Sequence, residues 1–187
     1  MKMLSAIPRQ INSRFGSKQG LVKYVYFGVR MLLGSYGRFD VKKLGRPHRL
    51  VFVCSGNICR SPFAEGVAKK VGYSAISFGL DTRGGDAADA RAMAIAEQEG
   101  IDLRTHRTTK ACDYVPHVGD LIVVMEPKHL ALYKKLKLNA PVTLLGLYGP
   151  KSLPYIQDPY SASEAYFARC QKIILHKTTK LIEYVSQ

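Results

Sequence analysis

The chain has 187 residues, 47% apolar and 22% charged, the balance of a soluble globular protein large enough for a real core. Its 28 Lys and Arg against 14 Asp and Glu leave a formal charge of +14. Cys54, Cys59, Cys112 and Cys170 form no CxxC pair and no zinc spacing, so no metal and no cofactor is expected. The start lacks the apolar core of a secretory leader, and free thiols fit a reducing cytoplasm.

The charge is uneven: residues 1–47 carry ten basic side chains and one acid, Asp40. Within this basic N-terminal extension, residues 1–20 are polar, with Gly16 and Gly20 as breakers. Leu21 to Tyr36 reads as an amphipathic helix, apolar on most sides, with Lys23 and Arg30 on one narrow face. It is too short for a membrane span, which needs about 20 mainly apolar residues. Arg38 to His48 reads as a linker.

From residue 48 the pattern becomes regular. Leu50–Cys54 is a short apolar run rich in β-branched residues, as in a buried parallel strand. Pro62–Val71 follows as a helix, with proline near its start. Tyr73–Gly79 is a weaker strand, and Ala87–Glu99 is a helix closed by Gly100. Asp120–Met125 is a second buried strand, then come a helix at Pro127–Lys137 and a strand at Pro141–Leu147. Ser152 to Tyr160 is a loop. Ala162–Val185 is a long helix with Tyr166, Cys170, Ile173, Ile174, Leu181 and Val185 on one period. Strands alternating with helices imply an α/β fold: three layers, with a four-stranded parallel sheet covered by helices on both faces, doubly wound in the flavodoxin-like manner.

The chemistry concentrates in Cys54-Ser-Gly-Asn-Ile-Cys-Arg-Ser-Pro62. The cysteine ends a buried strand and Arg60 sits at the mouth of a helix, where open α/β sheets bind ligands. A loop of backbone N–H groups feeding a helix N-terminus is an anion cradle, formed here by Ser55, Gly56, Asn57, Ile58, Cys59 and Ser61. Gly56 allows a tight turn and Asn57 tolerates left-handed backbone. Arg60 supplies a planar fork for two phosphate oxygens. The same positive field favours Cys54 as a thiolate able to attack phosphorus in line, and Ser61 can donate a hydrogen bond to it. The bland alternative is a core thiol, which strand-ending cysteines often are.

The stretch Val51 to Gly66 resembles the signature C-x-G-N-x-C-R-S-P of the low-molecular-weight protein-tyrosine phosphatases. The similarity runs from about residue 49 to 187 through Asp89-x-Arg-Ala92, His106-Arg107, Asp120–Met125 and Asp158-Pro-Tyr160. It does not reach the basic extension. The resemblance implies hydrolysis of phosphotyrosine through a phosphocysteine, with Cys54 as nucleophile, Arg60 gripping the phosphate and Asp158 as general acid. Expelling a phenolate whose conjugate acid has a pKa of about 10 is slow without a proton donor, which makes a carboxylic acid there reasonable. Asp158-Pro159 alone reads as a loop turn. Tyr160 is either a wall for the substrate ring or a packed loop tyrosine. Cys59 is either a redox partner of Cys54 or a small residue facing the core. Three departures stand out. Asp81–Gly85 lacks the aromatic residue usual on the substrate side, so Arg83 is a candidate to meet an acidic neighbour on the substrate. The acid after the third strand is Glu126 rather than Asp. A single tyrosine, Tyr160, follows Asp158-Pro.

Arsenate reduction on the same loop is a rival, weakened because Cys112 and Cys170 are far apart in sequence. A purely binding role for the basic arm is a second rival, but no nucleic-acid fold or nucleotide loop is visible. The arm has three open roles: lying on an anionic membrane surface, docking a partner protein, or packing on its own domain. Exopolysaccharide-associated bacterial members carry similar arms, and the resemblance implies a phosphorylated tyrosine kinase as substrate and a cytoplasmic enzyme, peripheral at the inner membrane if the arm binds it.

Overall fold

The computed structural model describes residues 2–41 and 46–187, with side chains from residue 9 onward. Part of the expected linker, residues 42–45, therefore lies outside the described residues.

Four strands form one parallel sheet in the order β2-β1-β3-β4: β1 Arg49–Cys54, β2 Ala75–Gly79, β3 Asp120–Val124 and β4 Val142–Leu144. Each of β1 and β3 buries both faces, as expected of near-continuous apolar runs. Leu50, Phe52 and Cys54 join one core cluster, while Val51 and Val53 join another on the opposite face. The first core also takes Phe63, Ala64, Val67 and Ala68 from α3 (Arg60–Lys70), Ala96 from α4 (Ala90–Gln98), and Cys170, Ile174, Leu181 and Val185 from α6 (Glu164–Val185). The second takes Tyr133 and Leu130 of α5 (Pro127–Lys135).

The expected α/β layering is thus present, with shorter elements at several ends. The strand expected to run to Leu147 stops at Leu144 and tightens into a 3₁₀ turn, Leu145–Leu147. The helix expected from Pro62 begins two residues earlier, so Arg60 and Ser61 lie in its first turn.

The N-terminal extension holds two helices, α1 Lys2–Phe15 and α2 Lys18–Leu32, where the sequence reading has one. Gly16 is the break between them, with φ +77, the left-handed residue that ends many helices. Gly20 is no breaker: it lies in the first turn of α2, and its amide donates to the N-cap Ser17 hydroxyl at 2.9 Å. The inner face of α2 packs on the sheet side of the molecule, with Phe27, Met31, Tyr36 and Phe39 joining the second core. Phe27 packs against Tyr155 at 5.1 Å between ring centroids, the rings tilted by 35°. Past α2, the Thr143 hydroxyl of β4 donates to the Phe39 carbonyl at 2.7 Å, and Tyr184 of α6 donates to Asp40 at 2.6 Å. Among the described residues no helix is long and apolar enough to cross a membrane.

Candidate active site

Strand β1 ends at Cys54, and residues 55–59 turn into α3, so the loop stands at the carboxyl end of the sheet. Asn57 makes the turn with φ +56. Gly56 has no positive φ, and a Cβ there would only touch Ile58 at 3.5 Å, so the tight conformation falls on Asn57 rather than on the glycine. A glycine is required instead at Gly79, the end of β2, where a Cβ would meet the Ser55 carbonyl oxygen at 2.8 Å and Asn57 Cβ at 3.1 Å. Nothing in the sequence marks Gly79 as part of the site.

Buried Asn57 is the hub that shapes the loop. Its side-chain amide donates to Ser61 Oγ at 2.9 Å and Ser77 Oγ at 2.8 Å. Its Oδ1 accepts from the Thr109 amide at 2.9 Å, and its carbonyl meets His106 Nε2 at 2.8 Å. The Asn57 amide itself donates to Cys54 Sγ at 3.2 Å. Ser61 Oγ lies 3.1 Å from Cys54 Sγ. Because that oxygen already accepts from Asn57, its own proton is the one free to go to sulfur. Two donors therefore converge on Cys54 Sγ, the arrangement that stabilises a thiolate. The amides of Ser55, Gly56, Ile58, Cys59 and Arg60 find no protein acceptor among the described residues and surround the mouth of α3.

Arg60 is 1% exposed. One terminal nitrogen donates to Glu126 Oε1 at 2.9 Å and to the Ile156 carbonyl at 3.1 Å. The other donates to Asp158 Oδ2 at 2.5 Å. Burial opposes the guanidinium charge, but Asp158, Cys54 and Glu126 together outweigh it and hold Arg60 protonated above its ordinary value. Asp158 faces Arg60 on one side and solvent on the other, its side chain 37% exposed. Its other oxygen accepts from the Tyr160 amide at 3.2 Å. Tyr160 is 57% exposed beside it, so it is not a packed loop tyrosine.

Supporting groups come from elements the motif does not include. Asp89 caps α4 and pairs with Arg91 at 2.8 Å, and Arg91 also donates to the Tyr160 carbonyl at 3.0 Å. The hydrogen bonds from Arg91 depress the Asp89 carboxyl below its ordinary value. His129 lies buried with Nε2 3.1 Å from Ser55 Oγ and 3.5 Å from Glu126. Burial, then Arg60 and Lys128, push its pKa down to about 2, so the ring is neutral at physiological pH. Cys59 packs against Ala92 and Phe167, and burial pushes its thiol well up, so it stays protonated. The Asp81–Gly85 segment starts with the Asp81 amide on the Ser55 carbonyl at 2.9 Å and leaves Arg83 exposed. Among the described residues no group of three His, Cys, Asp or Glu could hold a metal.

Glu126 and the Asp89–Arg91 pair are visible in the sequence as motif members. His129 carries no signal there, because only the fold brings it to Ser55.

A strand-ending thiol, a ring of free amides and a guanidinium at a helix mouth define a class of protein, the cysteine-dependent phosphatases. The family model for the low molecular weight phosphotyrosine protein phosphatase matches residues 49–187. The probable phosphatase EpsP of Ralstonia solanacearum is 38% identical over 41% of this chain, though over only 54% of its own length. AmsI of Erwinia amylovora, named a probable low molecular weight protein-tyrosine-phosphatase, is 29% identical over 74% of this chain and 97% of its own. Its crystal structure superposes with a TM-score of 0.67, covering 75% of this chain and 95% of that one. Vibrio vulnificus Wzb in complex with benzylphosphonate superposes with a TM-score of 0.64 at 27% identity, covering 74% and 99%. The chain belongs to the low molecular weight protein-tyrosine phosphatase family.

Proposed function

We propose that Cys54, Arg60 and Asp158 carry out phosphotyrosine hydrolysis in two steps. The Cys54 thiolate attacks phosphorus in line, the bond to the tyrosyl oxygen breaks, and Asp158 gives its proton to that oxygen. The resulting Asp158 carboxylate then takes a proton from water, which attacks the phosphocysteine and releases phosphate and the thiolate. Arg60 holds the phosphoryl oxygens. Glu126 and the Ile156 carbonyl occupy one of its terminal nitrogens, which leaves the other to pass from Asp158 to the substrate and so free the acid. The amides of Ser55, Gly56, Ile58, Cys59 and Arg60 cradle the remaining oxygens, while the Asn57 amide stays on Cys54 Sγ. Tyr160 lies against the substrate ring, and Arg83 meets acidic residues beside the phosphotyrosine.

The observation that carries this reading is the pair of donors on Cys54 Sγ within the cradle that ends at Arg60. Acid quenching of the enzyme during turnover of an aryl phosphate tests it. A phosphoryl adduct on the peptide containing Cys54 is expected. Its absence under burst conditions, or an adduct that survives in Cys54→Ser at wild-type turnover, would reject the nucleophile.

The substrate is a phosphotyrosine protein, and the likeness to EpsP, AmsI and Wzb favours a bacterial tyrosine kinase of exopolysaccharide production. The enzyme works in the cytoplasm, peripheral at the inner membrane. Support for that placement comes from α2 and its C-cap, whose outer face carries Val22, Val25, Val29, Leu32 and the capping Leu33, all at least half exposed, flanked by Lys18, Lys23 and Arg30. Such a face fits an anionic bilayer surface. Co-sedimentation with anionic but not zwitterionic vesicles is expected, and loss of it in Leu32→Glu/Leu33→Glu.

A further inference from the structure

Beside the segment that leads into Asp158, a cleft of about 830 Å³ opens between the N-terminal helices, the 150–157 segment and α6. Its walls are cationic. Arg14 comes from α1, Lys151 from the loop, and Arg169 and Lys172 from α6, where three-residue spacing puts them on one face with His176. Lys177 closes the cleft from within, its buried amine donating to the carbonyls of Pro150 at 3.0 Å and Lys151 at 3.4 Å. No carboxylate lines the cleft, and among the described residues none of these five cations enters an ion pair. Burial pushes Lys177 down to about 8, as for an ammonium held by carbonyls with no anion near it. Cations from three separate elements thus line one concave space, which concentrates positive potential there. The remaining wall is mostly apolar and includes four aromatic residues, Phe15, Tyr24, Tyr155 and Tyr166.

We infer that this cleft is a second ligand site, taking a small molecule that carries a chain of two or three phosphates. An oligophosphate carries several anionic groups to match cations supplied by α1, the loop and α6, in a space of about 830 Å³. The volume suits a nucleotide-sized guest, and the aromatic wall offers a flat ring a stacking surface. Occupancy reaches the catalytic acid along a short path. Tyr155, Ile156 and Gln157 line the cleft, the next residue is Asp158, and the Ile156 carbonyl holds Arg60. The site uses residues of the N-terminal extension, outside the family match.

Calorimetric titration at fixed ionic strength tests the site, with vanadate saturating the catalytic loop so that only a second site responds. Inorganic tripolyphosphate and ATP without magnesium are the two probes. One-to-one binding with Kd of about 100 µM or tighter is expected for at least one of them. Equal affinities assign recognition to the phosphate chain alone, and tighter ATP adds the aromatic wall; both support the site. Arg169→Gln/Lys172→Gln should weaken binding at least about tenfold while aryl phosphate hydrolysis without the probe stays within about twofold of wild type. Lys151→Gln, on the 150–157 segment, repeats the test with a cation outside α6. Binding that disappears under vanadate, or that is equal in wild type and both variants, would overturn the second site and leave the catalytic assignment untouched.

Discussion

Arg60 has three protein partners, and two of them are carboxylates. Replacing it by lysine keeps the charge but loses the fork, so Arg60→Lys should lower kcat nearly as far as removal of the side chain. A rise in KM with kcat intact would show that Arg60 does not hold the transition state. Asp158 is expected to matter most when the leaving phenol is least acidic. Asp158→Ala should slow phosphotyrosine turnover by about two to four orders of magnitude, and turnover of acidic phenols far less. An equal loss across phenols of graded pKa would make Asp158 a loop-shaping residue and move attention to Glu126. At this scale the motif made Cys54, Arg60 and Ser61 legible, because their spacing within the loop is itself the signal, whereas Asp158 stood out only through the family resemblance. The partners of Asn57 were not legible: Ser77, His106 and Thr109 are distant in sequence, and hydrogen bonds between them leave no periodic trace.

Two elements are tied to their neighbours by ion pairs with opposite consequences. At the amino end of the sheet, Arg49 of β1 meets Asp120 of β3 at 2.7 Å, and Tyr114 donates to the same carboxylate at 2.6 Å. Burial would raise the Asp120 pKa, but the bonds from Arg49, Tyr114 and the His117 amide win and lower it. The stabilisation is therefore fully present above the ordinary carboxylate pKa of about 4 and is lost as pH falls through the depressed folded value. Asp120→Ala should cost about 3 kcal/mol in urea unfolding at neutral pH, with the deficit shrinking in acid and kcat unchanged. At the carboxyl end, Asp89 caps α4 and positions Arg91 on the Tyr160 carbonyl. Asp89→Ala should cost about 1 kcal/mol from the cap. It should also lower kcat for phosphotyrosine more than for an acidic phenyl phosphate, since the loop that carries Asp158 loosens. Equal kcat losses would limit Asp89 to capping. The core strands were readable because apolar runs announce burial on both faces. The sequence places the start of α3 two residues late because Pro62 suits the first turn as a whole and nothing local says which of its positions the proline takes.

For the whole molecule, the N-terminal extension is built into the structure, its inner face spent on the second core and its outer face left exposed. Phe27→Ala should therefore lower stability by about 2 kcal/mol, roughly half the value for a fully buried phenylalanine. That corresponds to a Tm lower by about 4–8 °C in a chain of this size, measured by calorimetry. An unchanged Tm would mean that α2 is held by other contacts than the Phe27–Tyr155 pair. Of the three roles open to the arm on sequence, packing on its own domain occupies one face of α2 and leaves the other available for a surface outside the molecule.

Local order along the chain determined the α/β pattern and set Cys54, Arg60 and Ser61 in one strand-to-helix loop, because strand periodicity, helix-start chemistry and motif spacing are short-range properties; Asp158 stood out only through the family resemblance. Tertiary structure alone decided that Asn57 rather than Gly56 bears the left-handed turn, that Gly79 must lack a side chain, that neutral His129 holds Ser55, and that a cationic cleft forms between α1 and α6. These depend on which distant segments meet, and the meeting is set by burying both faces of the sheet at once, a condition no single stretch of sequence expresses.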